Sequence, residues 1–242
     1  MRQILYTILG TMLITFLTAK FQAISAQHIA DSSSVSFYKK GQLLYRDNFD
    51  IDLQNWIVET PNSPHSKIAI EDGKLDIDVE DGATVWFKHK LSGTILIEYQ
   101  RNVIMNGGHN DRLSDLNQFW MASDPRNENL FTRSGIFAEY HSLQQYYAGI
   151  GGNYNSTTRF RKYQGTGERT LLFDLQDREH LLQANKNYLI QIVVYKGTTS
   201  VFVDGERYFF FKDDEPLSEG YFGFRTVKSH QVVEDFRVYQ LK

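Results

Sequence analysis

The sequence predicts an all-β protein, a sandwich or jelly roll of two antiparallel sheets. Short segments rich in β-branched and aromatic residues follow one another to the C-terminus, and turn signals separate many of them. Aromatic residues make up 14% of the chain, with 14 Tyr, 17 Phe and 3 Trp, a load that suits strands and sugar-stacking surfaces alike.

The expected strands are Lys67–Ile70, Lys74–Val79, Thr84–Lys88, Thr94–Arg101, Gln118–Ala122, Arg133–His141, Gln145–Gly151 and Thr157–Tyr163. Tyr188–Lys196, Thr199–Val203, Glu206–Phe211, Gly220–Thr226 and Val232–Gln240 complete the series. Glu71-Asp72-Gly73, Asp81-Gly82, Lys196-Gly197 and Asp204-Gly205 supply turns. Only Arg178–Ala184 reads as a short helical turn.

The 242 residues suffice for one sizeable β-domain, and no repeat, linker or low-complexity tract divides them. Arg2, the apolar run Ile4–Leu17 and the small residues Ala23-Ile24-Ser25-Ala26 read as a secretory signal over residues 1–26. Residues 27–40 read as a flexible leader, and residues 41–242 as a single jelly-roll domain. The expected destination is the periplasm or the medium. The chain has no cysteine, so its stability must come from the core. Removing residues 1–26 leaves 24 basic against 29 acidic residues, a net charge of −5. Such a balance argues against nucleic acid and anionic membrane as partners.

The closing segments "NYLIQIVVYKGTTSVFVDGERYFFF", "EGYFGFRT" and "VVEDFRVYQL", with "LYRDNFDIDLQNWIVE" and "IEDGKLDIDV" near the start, resemble the strands of concanavalin A-like sugar-binding and sugar-cleaving domains. The resemblance implies a concanavalin A-like jelly roll and a carbohydrate partner. It leaves activity open, because this fold hosts lectins, glycosidases and polysaccharide lyases.

Residues 105–165 depart from simple strand grammar and concentrate His, Arg, Asn, Tyr and Trp. Alternation assigns Arg133, Gly135, Phe137, Glu139 and His141 to one face of their segment. It puts Gln145, Tyr147, Gly149, Gly151 and Asn153 on one face of the next, and Thr157, Arg159, Arg161 and Tyr163 on one face of the third. Three such faces in an antiparallel meander make one polar surface. Glycines 149, 151 and 152 leave room for a ligand.

Two reactions compete for this inventory. Glycoside hydrolysis needs two carboxylates flanking the bond. Glu139 is the only one on the proposed surface, and Asp76-x-Asp78-x-Glu80 reads as the solvent face of an early strand. β-Elimination on a uronic acid needs Arg or Asn to neutralise the C6 carboxylate, a base for the C5 proton and an acid for the group leaving C4. Arg133, Arg159, Arg161 and Asn153 suit the first role. His141, His109, Tyr147 and Tyr163 suit the others, and no cofactor is needed. Trp120, Asn117 and Glu139 complete the expected substrate contacts, and Tyr146 is a further stacking aromatic. Asp111 and Asp115 are weak candidates for a structural calcium. The other histidines, His28, His65, His89, His180 and His230, read as structural or exposed.

The blocks Ser114-Asp115-Leu116-Asn117-Gln118-Phe119-Trp120 and "YYAGIGGNYNSTTRFRKY" are similar to those of exported, polysaccharide lyase-like proteins that include the ulvan oligosaccharide (glucuronate) dehydratases. This resemblance implies elimination of water from a terminal glucuronate, giving a 4,5-unsaturated uronate. The chain lacks the Gln-x-His strand of jelly-roll alginate lyases. A carbon–oxygen lyase is therefore the expected function, with a non-catalytic carbohydrate-binding module and, third, a glycoside hydrolase as alternatives.

Overall fold

A computed structural model describes residues 34–242; the expected signal over residues 1–26 and most of the expected leader lie outside the described residues. Ser34 caps a single 3-10 turn at Val35–Phe37. Residues 40–242 form one unit. Its strands are β1 (Lys40–Asp47), β2 (Trp56–Glu59), β3 (Lys67–Glu71), β4 (Lys74–Val79), β5 (Ala83–Ser92), β6 (Ile95–Val103), β7 (Leu116–Ser123) and β8 (Gln144–Gly151). After these come β9 (Thr157–Gln164), β10 (Arg169–Leu175), β11 (Asn187–Tyr195), β12 (Thr198–Val203), β13 (Glu206–Lys212), β14 (Glu219–Thr226) and β15 (Ser229–Leu241).

They build the expected sandwich of two antiparallel sheets. Sheet I runs β13-β12-β11-β6-β15-β4-β3, with β1 also on β15, and sheet II runs β10-β9-β8-β7-β14-β5-β2. The long β15 serves both β4 and β1 because a bulge at Asp235, in the left-handed region, divides its pairing.

Alternate residues of each strand fill the space between the sheets. Ile95, Ile97 and Tyr99 from β6 meet Trp120 from β7, Phe160 from β9 and Phe222 and Phe224 from β14. Arg101 is the exception in this row. Its guanidinium lies buried between the sheets and donates to the carbonyls of Asn117 (2.6 Å) and Arg225 (3.1 Å), on two strands of sheet II. Burial lowers its pKa to about 10, so it stays charged at neutral pH.

Sheet II is covered on its outer face as well. The connection from β7 to β8 folds back over it and closes a second apolar cluster of Trp86, Phe119, Leu130, Tyr140, Leu143, Tyr147 and Tyr163. This corrects the expected strand at Arg133–His141. The segment is a loop followed by a 3-10 helix at Phe137–Ser142. Phe137, Tyr140 and Leu143 recur every third residue, the period of a 3-10 helix, and all three pack into the second cluster. Polar residues between them gave the segment the look of an alternating strand. β10 was not among the expected strands either, although Gly165 and Gly167 mark the turn that starts it.

The covering segment is clasped by one buried carboxylate. Glu59 accepts from Trp86 Nε1 (2.8 Å), from the Tyr140 hydroxyl (2.8 Å) and from the Arg133 backbone N–H (2.7 Å). Replacing Glu59 with Ala strands these buried donors and should cost about 3 kcal/mol. Urea unfolding measures this, and Glu59→Gln, which keeps an acceptor, should lose clearly less.

Candidate functional site

The covering segment stops short of the β8–β10 side of sheet II. There the outer face opens into a groove of about 220 Å³, lined by Asp115, Phe137, Tyr147, Gly149, Gly152, Asn153, Thr157, Arg159, Arg161, Tyr163 and Arg169. Alternation dictates most of this lining. On β8 the side chains of Tyr146, Ala148 and Ile150 enter the core, so Tyr147 and Gly149 face outward. On β9 Phe160 enters the core, so Thr157, Arg159, Arg161 and Tyr163 face the groove. Strand register sets Tyr147 opposite Arg161, and Arg169 of β10 opposite Tyr163.

Gly149 is required by its neighbours rather than by its backbone angles. A β-carbon there would collide with the Tyr147 hydroxyl and with Asn117 Oδ1, so the missing side chain lets Tyr147 fold across the strand. At the groove's rim, Asn153, Tyr154 and Asn155 all adopt left-handed conformations. Asn155 pins this strained turn by exchanging two hydrogen bonds with the Leu182 backbone, at 2.8 and 2.9 Å. The turn holds Tyr154 outward, 77% exposed, with the Arg112 guanidinium 5.2 Å from its ring centre.

Positive charge dominates the lining. Arg159 is paired with Asp174 at 3.1 Å, and Asp115 is paired with Arg112. Among the described residues no carboxylate pairs with Arg161 or Arg169. Arg161 donates only to the Arg169 carbonyl, at 3.3 Å. Arg169 Nη1 lies 3.0 Å from His141 Nε2. A guanidinium can only donate, so Nε2 accepts and the imidazole proton sits on Nδ1. Burial, followed by the charges of Arg169, Arg161 and Arg225, lowers the His141 pKa and keeps the ring neutral at pH 7. The Tyr163 hydroxyl is buried beside the Arg169 guanidinium. Burial raises its pKa to about 12 against the opposing fields of Arg169 and Arg161. Burial raises Tyr147 as well. The rings of Tyr147 and His141 lie 5.8 and 6.2 Å from that of Tyr163.

The structure thus gathers Tyr147, Asn153, Arg159, Arg161 and Tyr163, with His141 beside them, and adds Arg169, whose strand the sequence reading passed over. Other expected contacts are placed elsewhere. Arg133 pairs with Asp124 at 2.5 Å and binds the carbonyls of Leu130 and Glu139, as a strut of the covering segment. Glu139 accepts from the Ser134 N–H and hydroxyl in the same segment. Trp120 and Tyr146 are core residues, with Trp120 Nε1 donating to Thr199 Oγ1, so neither ring offers a face to a ligand. Asn117 is buried in β7 beneath Gly149. His109 meets Glu80 and His65 on another connection. Asp111 accepts three backbone N–H groups while Asp115 serves Arg112, so the two carboxylates considered for calcium are committed separately. Asp76 of the early acidic strand is no solvent-facing group: it is buried against His230, at 2.9 Å.

A family model covers residues 77–236, from β4 through β15, and so contains the whole groove. The chain belongs to the DUF6250 family, a domain of unknown function. No curated protein matches this DUF6250 chain significantly. Its fold is similar to that of a Bacillus subtilis protein of unknown function with a galectin-like fold. The two are 22% identical over 84% of this chain and 98% of the other, with a TM-score of 0.70. An endo-β-1,3-glucanase from Pyrococcus furiosus is 12% identical, covering 83% and 95% of the two chains at a TM-score of 0.57. The carbohydrate-binding module CBM66 from Bacillus subtilis is also 12% identical, covering 77% and 96% at a TM-score of 0.54. At these identities the likeness is one of fold.

Because Arg169 opposes protonation of His141, Arg169→Ala should raise the His141 pKa toward the ordinary 6.5. An NMR titration of the imidazole checks the direction.

Proposed function

We propose that the DUF6250 groove binds the terminal uronate of an oligosaccharide and removes a group from C4 by β-elimination, as a carbon–oxygen lyase. The observation that carries this reading is the pair Arg161 and Arg169, which among the described residues have no carboxylate partner, beside a neutral histidine and a buried tyrosine hydroxyl. Two such cations suit an anionic ligand. Asp115, already paired with Arg112, is the only carboxylate of the lining, which leaves the two-carboxylate mechanism of hydrolysis unsupplied.

The chemistry follows from the proton inventory. The uronate carboxylate docks on Arg161 and Arg169, and the charge that develops toward an enediolate is stabilised. A carboxylate that draws Arg169 away frees the Nε2 lone pair of His141. Nε2 then takes the C5 proton, the C–H electron pair becomes the C4–C5 double bond, and the C4–O bond breaks. Tyr163 or Tyr147, held protonated by burial, gives its proton to the departing oxygen. A groove of about 220 Å³ falls below the roughly 300–1,000 Å³ of drug-sized ligand sites. That favours one terminal sugar over a stretch of polymer, and water over a glycosyl leaving group. The resemblance to the ulvan oligosaccharide dehydratases agrees with this choice, and an exported protein would meet such oligosaccharides in the periplasm or the medium.

Binding without catalysis is the second reading, favoured by the exposed Tyr154 ring at the rim. A carbohydrate-binding module and a glucanase are among the proteins that share the fold.

Incubation with glucuronate-terminated oligosaccharides separates the readings. A rise in ultraviolet absorbance without new reducing ends means dehydration, and a rise with new ends means chain cleavage. New ends alone mean hydrolysis, and no change with retained binding leaves the module. Given elimination, His141→Ala and Tyr163→Phe should each lower kcat by roughly two to four orders of magnitude. Arg161→Ala should mainly raise KM. As the base must be neutral, the rate should fall with falling pH through the lowered His141 pKa. Activity therefore persists somewhat below pH 6.5, the ordinary histidine value.

A further inference from the structure

Three connections meet at one end of the sandwich, outside the groove lining. The β2–β3 connection brings His65, the β4–β5 connection brings Glu80 and the β6–β7 connection brings His109. Their ligating atoms all lie within 4.8 Å of one another, and the two imidazole rings are 4.5 Å apart. From these positions we propose that His65, Glu80 and His109 form a site for a zinc-type divalent ion.

The donor set is two imidazoles and one carboxylate, a combination that zinc accepts as three protein ligands with a fourth position open. Geometry agrees. Two ligands about 2.1 Å from a tetrahedral ion sit roughly 3.4 Å apart, and His109 Nε2 lies 3.3 Å from Glu80 Oε1.

The surroundings hold the ligands in place, as outer-shell partners of metal sites do. Ser63 donates to the far oxygen of Glu80 at 2.8 Å and accepts the His65 N–H at 3.3 Å, tying two ligands together. Asn110, next to His109, donates to the His65 carbonyl at 2.5 Å and to Asp78 at 2.9 Å. Asp111 gathers the N–H groups of residues 106–108, which fixes the loop that presents His109. Glu80 and His65 are thus each held by a connection other than their own, and His109 by its own loop. The ligands themselves stay accessible, with the His109 side chain 55% and the Glu80 side chain 31% exposed.

The test uses the full chain, stripped with a chelator and titrated with zinc chloride by calorimetry, then with cobalt chloride by visible absorption. The expected result is one ion per chain, d–d bands of a tetrahedral or five-coordinate cobalt, and a higher melting temperature with added zinc. His109→Ala and Glu80→Gln, both at accessible positions, should each weaken zinc at least about tenfold while circular dichroism stays unchanged. No binding by the wild-type chain overturns the proposal. So does binding that survives a combined His65→Ala and His109→Ala change, because the ion then sits elsewhere. A plain Glu80–His109 ion pair would give no cobalt bands and no saturable heat.

Discussion

A carboxylate buried under aromatic rings has to be satisfied from every side, and Glu59 is satisfied by the elements it holds together. It ends β2 on the margin of sheet II, takes the indole N–H of Trp86 from β5, and reaches into the covering segment for Tyr140 and the Arg133 N–H. The covering segment is thereby fixed over half of the outer face. The dry half becomes a second core, and the wet half becomes the groove. Phe137 belongs to both, packed on the second cluster and lining the groove, so the wall of the site and the edge of that core are one surface.

Electrostatics in the groove follow from that division. Burial under the covering segment keeps Tyr147 and Tyr163 protonated, and the same desolvation, with the neighbouring guanidiniums, keeps His141 uncharged. Fixed positive charge, a neutral base and neutral hydroxyls coexist at one pH because the arginines stay protonated even when crowded.

The sequence made the sandwich legible because strand alternation is a strong signal where one face is buried. The same logic placed Tyr147, Arg159, Arg161 and Tyr163 on one surface, since each sits one residue from a core side chain. It misplaced Arg133 and Glu139 because a 3-10 helix with apolar residues every third position is easily taken for a strand over nine residues. Trp120 and Asn117 were drawn to the site by residue type alone. Their fates were set by pairing across strands, with Trp120 on the core face of β7 and Asn117 beneath a glycine of β8. Arg169 was missed because β10 went unrecognised, and with it the partner that fixes the His141 tautomer. The His65–Glu80–His109 cluster was invisible for another reason: three separate connections bring it together, and nothing in local spacing records that.

Arg101 has a consequence for how the two sheets find each other. Apolar side chains are indifferent to small displacements, so two greasy faces can stack in several near-equal ways. A guanidinium in their midst removes that indifference, because its two donors match the carbonyls of Asn117 and Arg225 in one alignment. Sliding either layer by a rung would leave the charge facing hydrocarbon, several kcal/mol uphill. The ion thus acts as a locating pin, sacrificing some stickiness for a single way of closing.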